Sequence, residues 1–236
     1  MLSALEQAGT GVGALVCAVS LLYMGGALWA MRAWRRRRMP QTTRLPPVTI
    51  LKPLCGLEPR LYENLRSFCT QDYPEYQILF GVRDRDDPAI PVVQRLIDER
   101  PRHDLRLIVD ERVIGTNYKV SNLANMLPAA RHDCLVIADS DIAVGPDYLR
   151  CLVPPLEDPT VGVVTCLYRG RAHGPVWSYL GTQFINEWFL PSVLVAAATG
   201  SRDFSFGSTL ALRRAVLEDM GGFTALAYHL ADDYML

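Results

Sequence analysis

The sequence predicts an α/β protein, a layered sheet with right-handed crossovers, preceded by a membrane-spanning helix. Three observations carry this expectation. Short apolar runs alternate with segments of helical periodicity between Val48 and Ala138. One such run, Leu135–Ala138, stops abruptly at Asp139-Ser140-Asp141, as an interior strand of a parallel sheet does when it reaches a loop. No charged residue occurs from Ala8 to Met31.

The membrane element comes first in the chain. Its core, Val12–Met31, has 20 residues, and a helix of that length covers about 30 Å, the thickness of the hydrocarbon layer. A secretory signal peptide is the competing reading. The positive residues follow the apolar run instead of preceding it, and no small-residue cleavage site comes next. Arg32 and Arg35–Arg38 form a basic flank, with Trp29 and Trp34 placed for the interface. The positive-inside rule then puts the remainder of the chain in the cytoplasm, as in a bacterial inner-membrane protein with one N-terminal span. Gly25 and Gly26 either admit a second helix or are simply tolerated in a membrane segment. The expected division is an anchor with its basic flank over 1–44 and a globular domain over 45–236.

In the globular part, Gln41–Pro47 reads as a linker and Val48–Leu51 as a first strand ended by Lys52-Pro53. Glu58–Gln71 has helical spacing at Leu61, Leu65 and Phe68, with Pro59 suited to its first turn. Tyr76–Val82 is the second strand, Pro88–Arg100 a helix, Leu105–Val109 the third strand, Lys119–Ala130 a helix and Cys134–Ala138 the fourth strand. A helix start at Pro146–Val153 and a strand at Val161–Thr165 follow. Val176–Leu190 is apolar and aromatic, a mixture of core helix and lipid-facing ridge. Phe206–Arg213 runs into another strand, and Arg213–Met220 is a short helix closed by Gly221-Gly222.

Charge is distributed unevenly. The net charge is -1 overall; residues 1–44 hold six arginines and one acid, and residues 45–236 hold 18 basic and 24 acidic side chains. The globular part is acidic, which argues against nucleic acid as a partner and for a cation beside any polyphosphate it binds. The six cysteines show neither CxxC nor zinc spacing, so buried free thiols in a reducing compartment are expected.

Three acidic clusters carry the candidate chemistry: Asp84, Asp86 and Asp87 after the second strand, Asp139 and Asp141 after the fourth, and Asp232 and Asp233 near the end. Ligands of open α/β sheets gather beyond the carboxyl ends of the strands. Asp139 and Asp141 there are either joint ligands of a magnesium or manganese ion on a phosphate, or turn residues. No Walker A, HExxH, GxGxxG or nucleophile-elbow sequence is present.

The segments ILKPLCGLEPRLYENLRSFCTQDYP (50–74), VRDRDDPAI (82–90), IGTNYKVSNL (114–123), IADSDI (137–142) and LADDYML (230–236) together resemble the membrane-associated, inverting, family-2-like glycosyltransferases. Within these, the chain is most similar to ceramide glucosyltransferases and the bacterial hopanoid-biosynthesis-associated group. The resemblance implies a GT-A-like nucleotide-sugar-binding fold. It implies that Asp87 lies near the uracil and ribose of a UDP-sugar. Asp139 meets the donor, and Asp139 and Asp141 hold magnesium or manganese at its diphosphate. Asp233, with Asp232 as the neighbouring alternative, takes the proton of the acceptor hydroxyl. Lys119 positions the donor on this reading, or is an exposed helix-end lysine; Asn117 and Asn122 bond the nucleotide, or cap local structure.

The implied reaction moves glucose or N-acetylglucosamine from a UDP-sugar to a lipid hydroxyl, a hopanoid polyol or ceramide, beside the bilayer. Trp177–Leu190 either guides that lipid or packs a core. The family's Gln/Arg-x-x-Arg-Trp segment and C-terminal membrane region find no match after Asp233, so the resemblance implies a C-terminally truncated form. A polyprenyl-phosphate sugar transferase and a catalytically inactive membrane scaffold of the same fold are the competing functions.

Overall fold

The computed structural model describes residues 2–37, 44–201 and 205–229. These form two compact units, one combining 2–37 with 168–201 and the other combining 44–167 with 205–229. The LADDYML segment with Asp232 and Asp233, and residues 41–43 of the expected linker, lie outside the described residues.

The larger unit is a six-stranded sheet covered by helices on both faces. Its strands are β1 (Val48–Pro53), β2 (Tyr76–Val82), β3 (Asp104–Val109), β4 (Cys134–Ala138), β5 (Val163–Thr165) and β6 (Thr209–Arg213). With α1 (Leu2–Arg36) belonging to the other unit, its helices begin with α2 (Leu61–Phe68), α3 (Ile90–Asp98), α4 (Tyr118–Met126) and α5 (Tyr148–Leu152). The strand order is β3-β2-β1-β4-β6-β5. The first four strands in that order are parallel, and β6 runs antiparallel to both β4 and β5.

Side-chain alternation along each strand divides the interior into two cores. Ile50, Ile78, Phe80 and Val136 point to one face, where they meet Leu61, Leu65 and Phe68 of α2 and Val93 and Leu96 of α3. Leu51, Leu79, Leu135, Ile137, Leu210 and Leu212 point to the other, where they meet Val120, Leu123 and Met126 of α4. Burial on both faces explains the near-continuous apolar runs in the sequence.

The smaller unit pairs α1 with α6 (Val176–Gln183), a π-helical stretch (Phe184–Phe189) and α7 (Leu190–Ala198). From Gly9 to Arg36, α1 is long and apolar enough to cross a membrane. Pro191 near the start of α7 has no N–H to give to the preceding turn, and the wide π turn just before it accommodates the lost bond without breaking the helix. The remaining helices, α8 (Arg214–Asp219) and α9 (Gly222–Leu226), cover the sheet in the larger unit.

Several boundaries differ from the sequence expectation for local reasons. Helix α2 begins at Leu61, after a turn in which Arg60 adopts φ 60, a left-handed conformation outside the helical region for a non-glycine residue. α4 passes into a 3-10 turn at Leu127–Ala129. Gly221 and Gly222, at φ 91 and 68, do not simply end a helix, because α9 starts at Gly222. β1 continues through Lys52 and Pro53, so the lysine that was expected to end the strand lies inside it, fully buried.

Gly81 in β2 has no room for a methyl group. A Cβ there would collide with Asn122 Oδ1 and Met126 Sδ of α4, while Asn122 Nδ2 donates to the Gly81 carbonyl at 2.8 Å. Gly81→Ala is expected to lower stability by about 1–3 kcal/mol through overpacking. Thermal unfolding of the detergent-solubilised chain measures this; an unchanged midpoint means that α4 does not pack against β2 as described.

Candidate active site

The chain leaves β1 toward β2 and β3 on one side and returns to β4 on the other, so the strand order reverses between β1 and β4. Helices leave the sheet on opposite sides at such a point, and a crevice opens at the carboxyl ends of the two strands. The register Leu51↔Ile137 brings the end of β1, with Lys52, beside the end of β4, with Asp139.

Lys52 is 0% exposed. Its Nζ donates to the Asp139 backbone carbonyl and sits 3.8 Å from the centre of the Phe68 ring. Phe68 in turn packs edge-on to Tyr148, whose hydroxyl donates to Thr209 Oγ1 at 3.2 Å. Burial lowers the Lys52 pKa to about 7, and the nearby Asp139, Asp141 and Glu58 carboxylates oppose that shift. The ammonium thus lies under an acidic rim.

Lys119, near the start of α4, forms an ion pair with Asp139, Nζ to Oδ1 2.7 Å. Asn117 places the helix start: its Oδ1 accepts the Val120 N–H at 3.1 Å and its Nδ2 donates to the His229 carbonyl at 2.8 Å. Asn122 is spent on Gly81, so both asparagines have structural partners.

Asp141 is exposed in the turn that follows β4. Burial pushes the Glu58 carboxyl above its usual pKa, aided by Asp141 and Asp139 and opposed by a Ser140 hydrogen bond. Glu58 Oε2 is buried without a hydrogen-bond partner among the described residues, as is Ser208 Oγ; the Ser208 carbonyl accepts the Asp139 N–H at 3.3 Å. The rest of this loop is fixed by the end of α2. Ser67 Oγ accepts the Val144 N–H at 3.0 Å, and Gln71 Nε2 donates to the Gly145 carbonyl at 2.9 Å.

Asp87 is 8% exposed. Both its carboxylate oxygens accept the Gly56 N–H, at 3.1 and 3.0 Å, and Oδ1 also accepts the Ala89 N–H at 2.8 Å. It therefore ties the loop after β1 to the loop after β2 and caps the approach to α3. Beside it, an open recess of about 260 Å³ is lined by Arg83, Asp84, Glu111 and Val113, at the carboxyl ends of β2 and β3.

The fold therefore brings Asp139, Asp141 and Lys119 together at one crevice and puts Asp87 on an adjacent loop. Asp233 lies outside the described residues. Lys52, Glu58 and Ser208 are additional members that sequence reasoning missed. One signal was available for the first: of 24 basic residues only two are lysines, Lys52 and Lys119, and both reach Asp139. A compact ammonium can be buried against a carbonyl where a planar guanidinium does not fit.

Among the described residues no group of three His, Cys, Asp or Glu side chains forms a metal site. Magnesium bound with a diphosphate needs only one or two carboxylates, the remaining ligands being phosphate oxygens and water. Asp139 and Asp141 supply hard oxygen donors of that kind and number, and the unpartnered Glu58 Oε2 adds negative charge beside them. The donor set fits such an ion.

Comparison with known proteins places this chain in a family. The model described as "Glycosyl transferase family 21" matches residues 12–236. The chain belongs to that glycosyltransferase family. It is 29% identical over 196 residues to ceramide glucosyltransferase 1 of Caenorhabditis elegans, a match covering 80% of this chain and 41% of the relative. It is 36% identical over 115 residues to the ceramide glucosyltransferase of Candida albicans, covering 44% of this chain and 21% of the relative. The family 21 chain thus spans about two fifths of the length of the nematode relative. Its fold is similar to that of a mannosyltransferase from Pyrobaculum calidifontis solved with GDP-Man and Mn2+. That match has a TM-score of 0.61 at 24% identity and covers 87% of this chain and 57% of the other.

A pH dependence follows from Lys52. Between about pH 7 and the usual lysine pKa, the unfolded chain holds a proton that the folded chain has released. Stability from this group therefore rises with pH across that window, by up to about 1.4 kcal/mol per pH unit, and is lost as pH falls from the usual lysine pKa to about 7, below which the group adds no further change. Lys52→Met is expected to flatten the rise in unfolding midpoint between pH 7 and 9. An equal slope in both proteins removes Lys52 as its source.

Proposed function

We propose that this chain forms an inverting GT-A-type glycosyltransferase domain that moves a sugar from a UDP-sugar to the hydroxyl of a membrane lipid. The observation that carries the reading is the convergence of Lys52 and Lys119 on Asp139 at the crevice between β1 and β4, within a chain that belongs to glycosyl transferase family 21. Ceramide is the first acceptor to consider, because the relatives are named ceramide glucosyltransferases; a hopanoid polyol is the second. Glucose is the corresponding first donor sugar and N-acetylglucosamine the second.

In this reading Asp139 and Asp141 hold magnesium or manganese against the donor diphosphate. That ion, when bound, offsets the negative charge that grows on the departing diphosphate. Lys119, paired with Asp139 at 2.7 Å, stands where it can pass its ammonium to a phosphate oxygen while the carboxylate turns to the cation. Lys52 remains below, fixing the Asp139 backbone so that the carboxylate is already aimed when the donor arrives. Asp87 keeps the loops after β1 and β2 in register, which shapes the adjoining recess for a nucleoside. Asp233 is assigned the base that takes the acceptor proton, with Asp232 as the neighbouring alternative; in a single inverting displacement such a base works from the side opposite the leaving group. Alignment of these groups lowers the barrier by prepaid orientation.

The helix α1 is read as a membrane span with Arg32 and Arg35–Arg37 on the cytoplasmic side. It keeps the site close to an acceptor that is poorly soluble in water.

The test of the reaction is sugar transfer by this chain in lipid bilayers containing ceramide or a hopanoid polyol, with UDP-glucose or UDP-N-acetylglucosamine and magnesium or manganese. A ceramide-linked glucose is the expected product. Product only on the hopanoid polyol changes the acceptor, and absence of product on every pair, with the chain folded, counts against the enzymatic reading. Two variants separate binding from chemistry. Asp139→Asn is expected to weaken metal-dependent UDP binding about 100-fold, measured by calorimetry. Asp233→Asn is expected to slow transfer about 10²–10⁴-fold while leaving UDP binding intact; normal turnover would exclude it as the base.

A further inference from the structure

The segment Val176–Ala198 leaves the sheet after β5 and returns before β6. The strand residue that precedes it and the residue at which the chain re-enters the sheet unit are bonded to each other. Thr165 Oγ1 donates to the Phe206 carbonyl at 3.2 Å and accepts the Phe206 N–H at 2.9 Å. A single crossing of a bilayer separates its ends by about 30 Å, so this excursion starts and finishes on one side of any membrane.

Its composition is nevertheless that of a lipid-facing element. Between Gly174 and Gly200 the only charged residue is Glu187. Trp177, Leu180, Phe184 and Trp188 recur at helical spacing and are all exposed, Trp177 by 77% and Trp188 by 59%. Phe184 and Trp188 stack with ring centres 5.0 Å apart. The opposite side of the same helix is occupied: Asn186 Oδ1 accepts the Gly170 N–H at 2.8 Å and its Nδ2 donates to the Gly170 carbonyl at 3.0 Å. Phe189 lies against Tyr168. The aromatic stripe is thus the outer face of an element whose inner face is satisfied.

What covers that face is indicated by α1. Helix α7 packs along α1, and Tyr23 Oη and Ser192 Oγ share a hydrogen bond of 2.9 Å. Tyr23 lies nine residues before Arg32, about 14 Å along the helix. α7 therefore reaches well inside the apolar length of α1, not merely its basic end. Exposed Arg169 and Arg171 precede α6, as lipid-surface helices carry basic groups beside their apolar face.

We propose that Val176–Ala198 is a second membrane element, one that dips into the leaflet at the basic end of α1 and withdraws without crossing, with Trp177, Leu180, Phe184 and Trp188 seated among lipid acyl chains. This rests on the reading of α1 as a membrane span. Glu187 and the tryptophans set the depth at the headgroup boundary, and apolar α7 extends inward along α1.

The four tryptophans of the chain, Trp29, Trp34, Trp177 and Trp188, make the test direct, because all four are exposed and a phenylalanine in their place disturbs no buried packing. The full chain carrying W29F and W34F is reconstituted in phosphatidylcholine–phosphatidylglycerol vesicles with and without bromine on the lipid acyl chains. Trp177 and Trp188 are expected to lose about half of their emission to bromine near the headgroup and less to bromine at the bilayer centre, as for a face buried roughly 5–10 Å deep. The chain carrying W177F and W188F reports on Trp29 and Trp34 in the same vesicles. Quenching of that pair, with Trp177 and Trp188 unaffected by bromine, overturns the proposal while leaving α1 in the bilayer. Quenching of neither pair overturns the membrane reading of α1 itself.

Discussion

The site depends on how one aspartate is held. Asp139 is gripped from below by Lys52, through its backbone carbonyl, and from the side by Lys119, through its carboxylate. The two lysines come from different elements, the end of β1 and the start of α4, and meet at the point where the strand order reverses. Burying an ammonium is unfavourable unless it is hydrogen-bonded and faces opposite charge. A carbonyl, an aromatic ring and three nearby carboxylates offset that cost for Lys52 in part, and burial still lowers its pKa to about 7. The acidic rim and the buried cation therefore support each other, and either alone would be costly.

Around this centre the fold supplies rigid loops. Asp87 binds Gly56 and Ala89 through backbone N–H groups, and Ser67 and Gln71 fix the segment after Asp141. Loops held by buried side-chain-to-backbone bonds keep a charged site in one geometry before any ligand arrives, which is the condition for electrostatic preorganisation. Asp87 does this from the loop after β2, and Ser67 and Gln71 from the end of α2 and the turn after it, while the apolar strand interiors are committed to packing.

How much was legible in the sequence differs by element. β2 and β4 have the bounds that their apolar runs suggested, Tyr76–Val82 and Cys134–Ala138, because a strand buried on both faces leaves an unbroken apolar signature. α2 is shorter than its periodicity implied, because Arg60 turns left-handed where the pattern alone would continue. The helical stretch beginning at Val176 runs past Leu190 to Ala198, since the π turn absorbs Pro191. Lys52 was misread as a strand terminator: its partner is 87 positions away, beyond the reach of any local pattern. Glu58 and Ser208 were missed for the same reason.

The sequence by itself determined the α/β class, the apolar N-terminal helix and the membership of a glycosyltransferase family, because apolar periodicity, an uncharged run and a set of spaced motifs are local properties of the chain. Tertiary structure alone decided that β6 runs antiparallel to β4, that Lys52 and Lys119 converge on Asp139, that Asn117 and Asn122 serve the scaffold, and that α7 lies along α1. Each of these is a pairing between segments far apart in the chain. Such pairings follow from which faces can be buried and which charges can be compensated once the sheet has closed, and no stretch of sequence contains both halves of that condition.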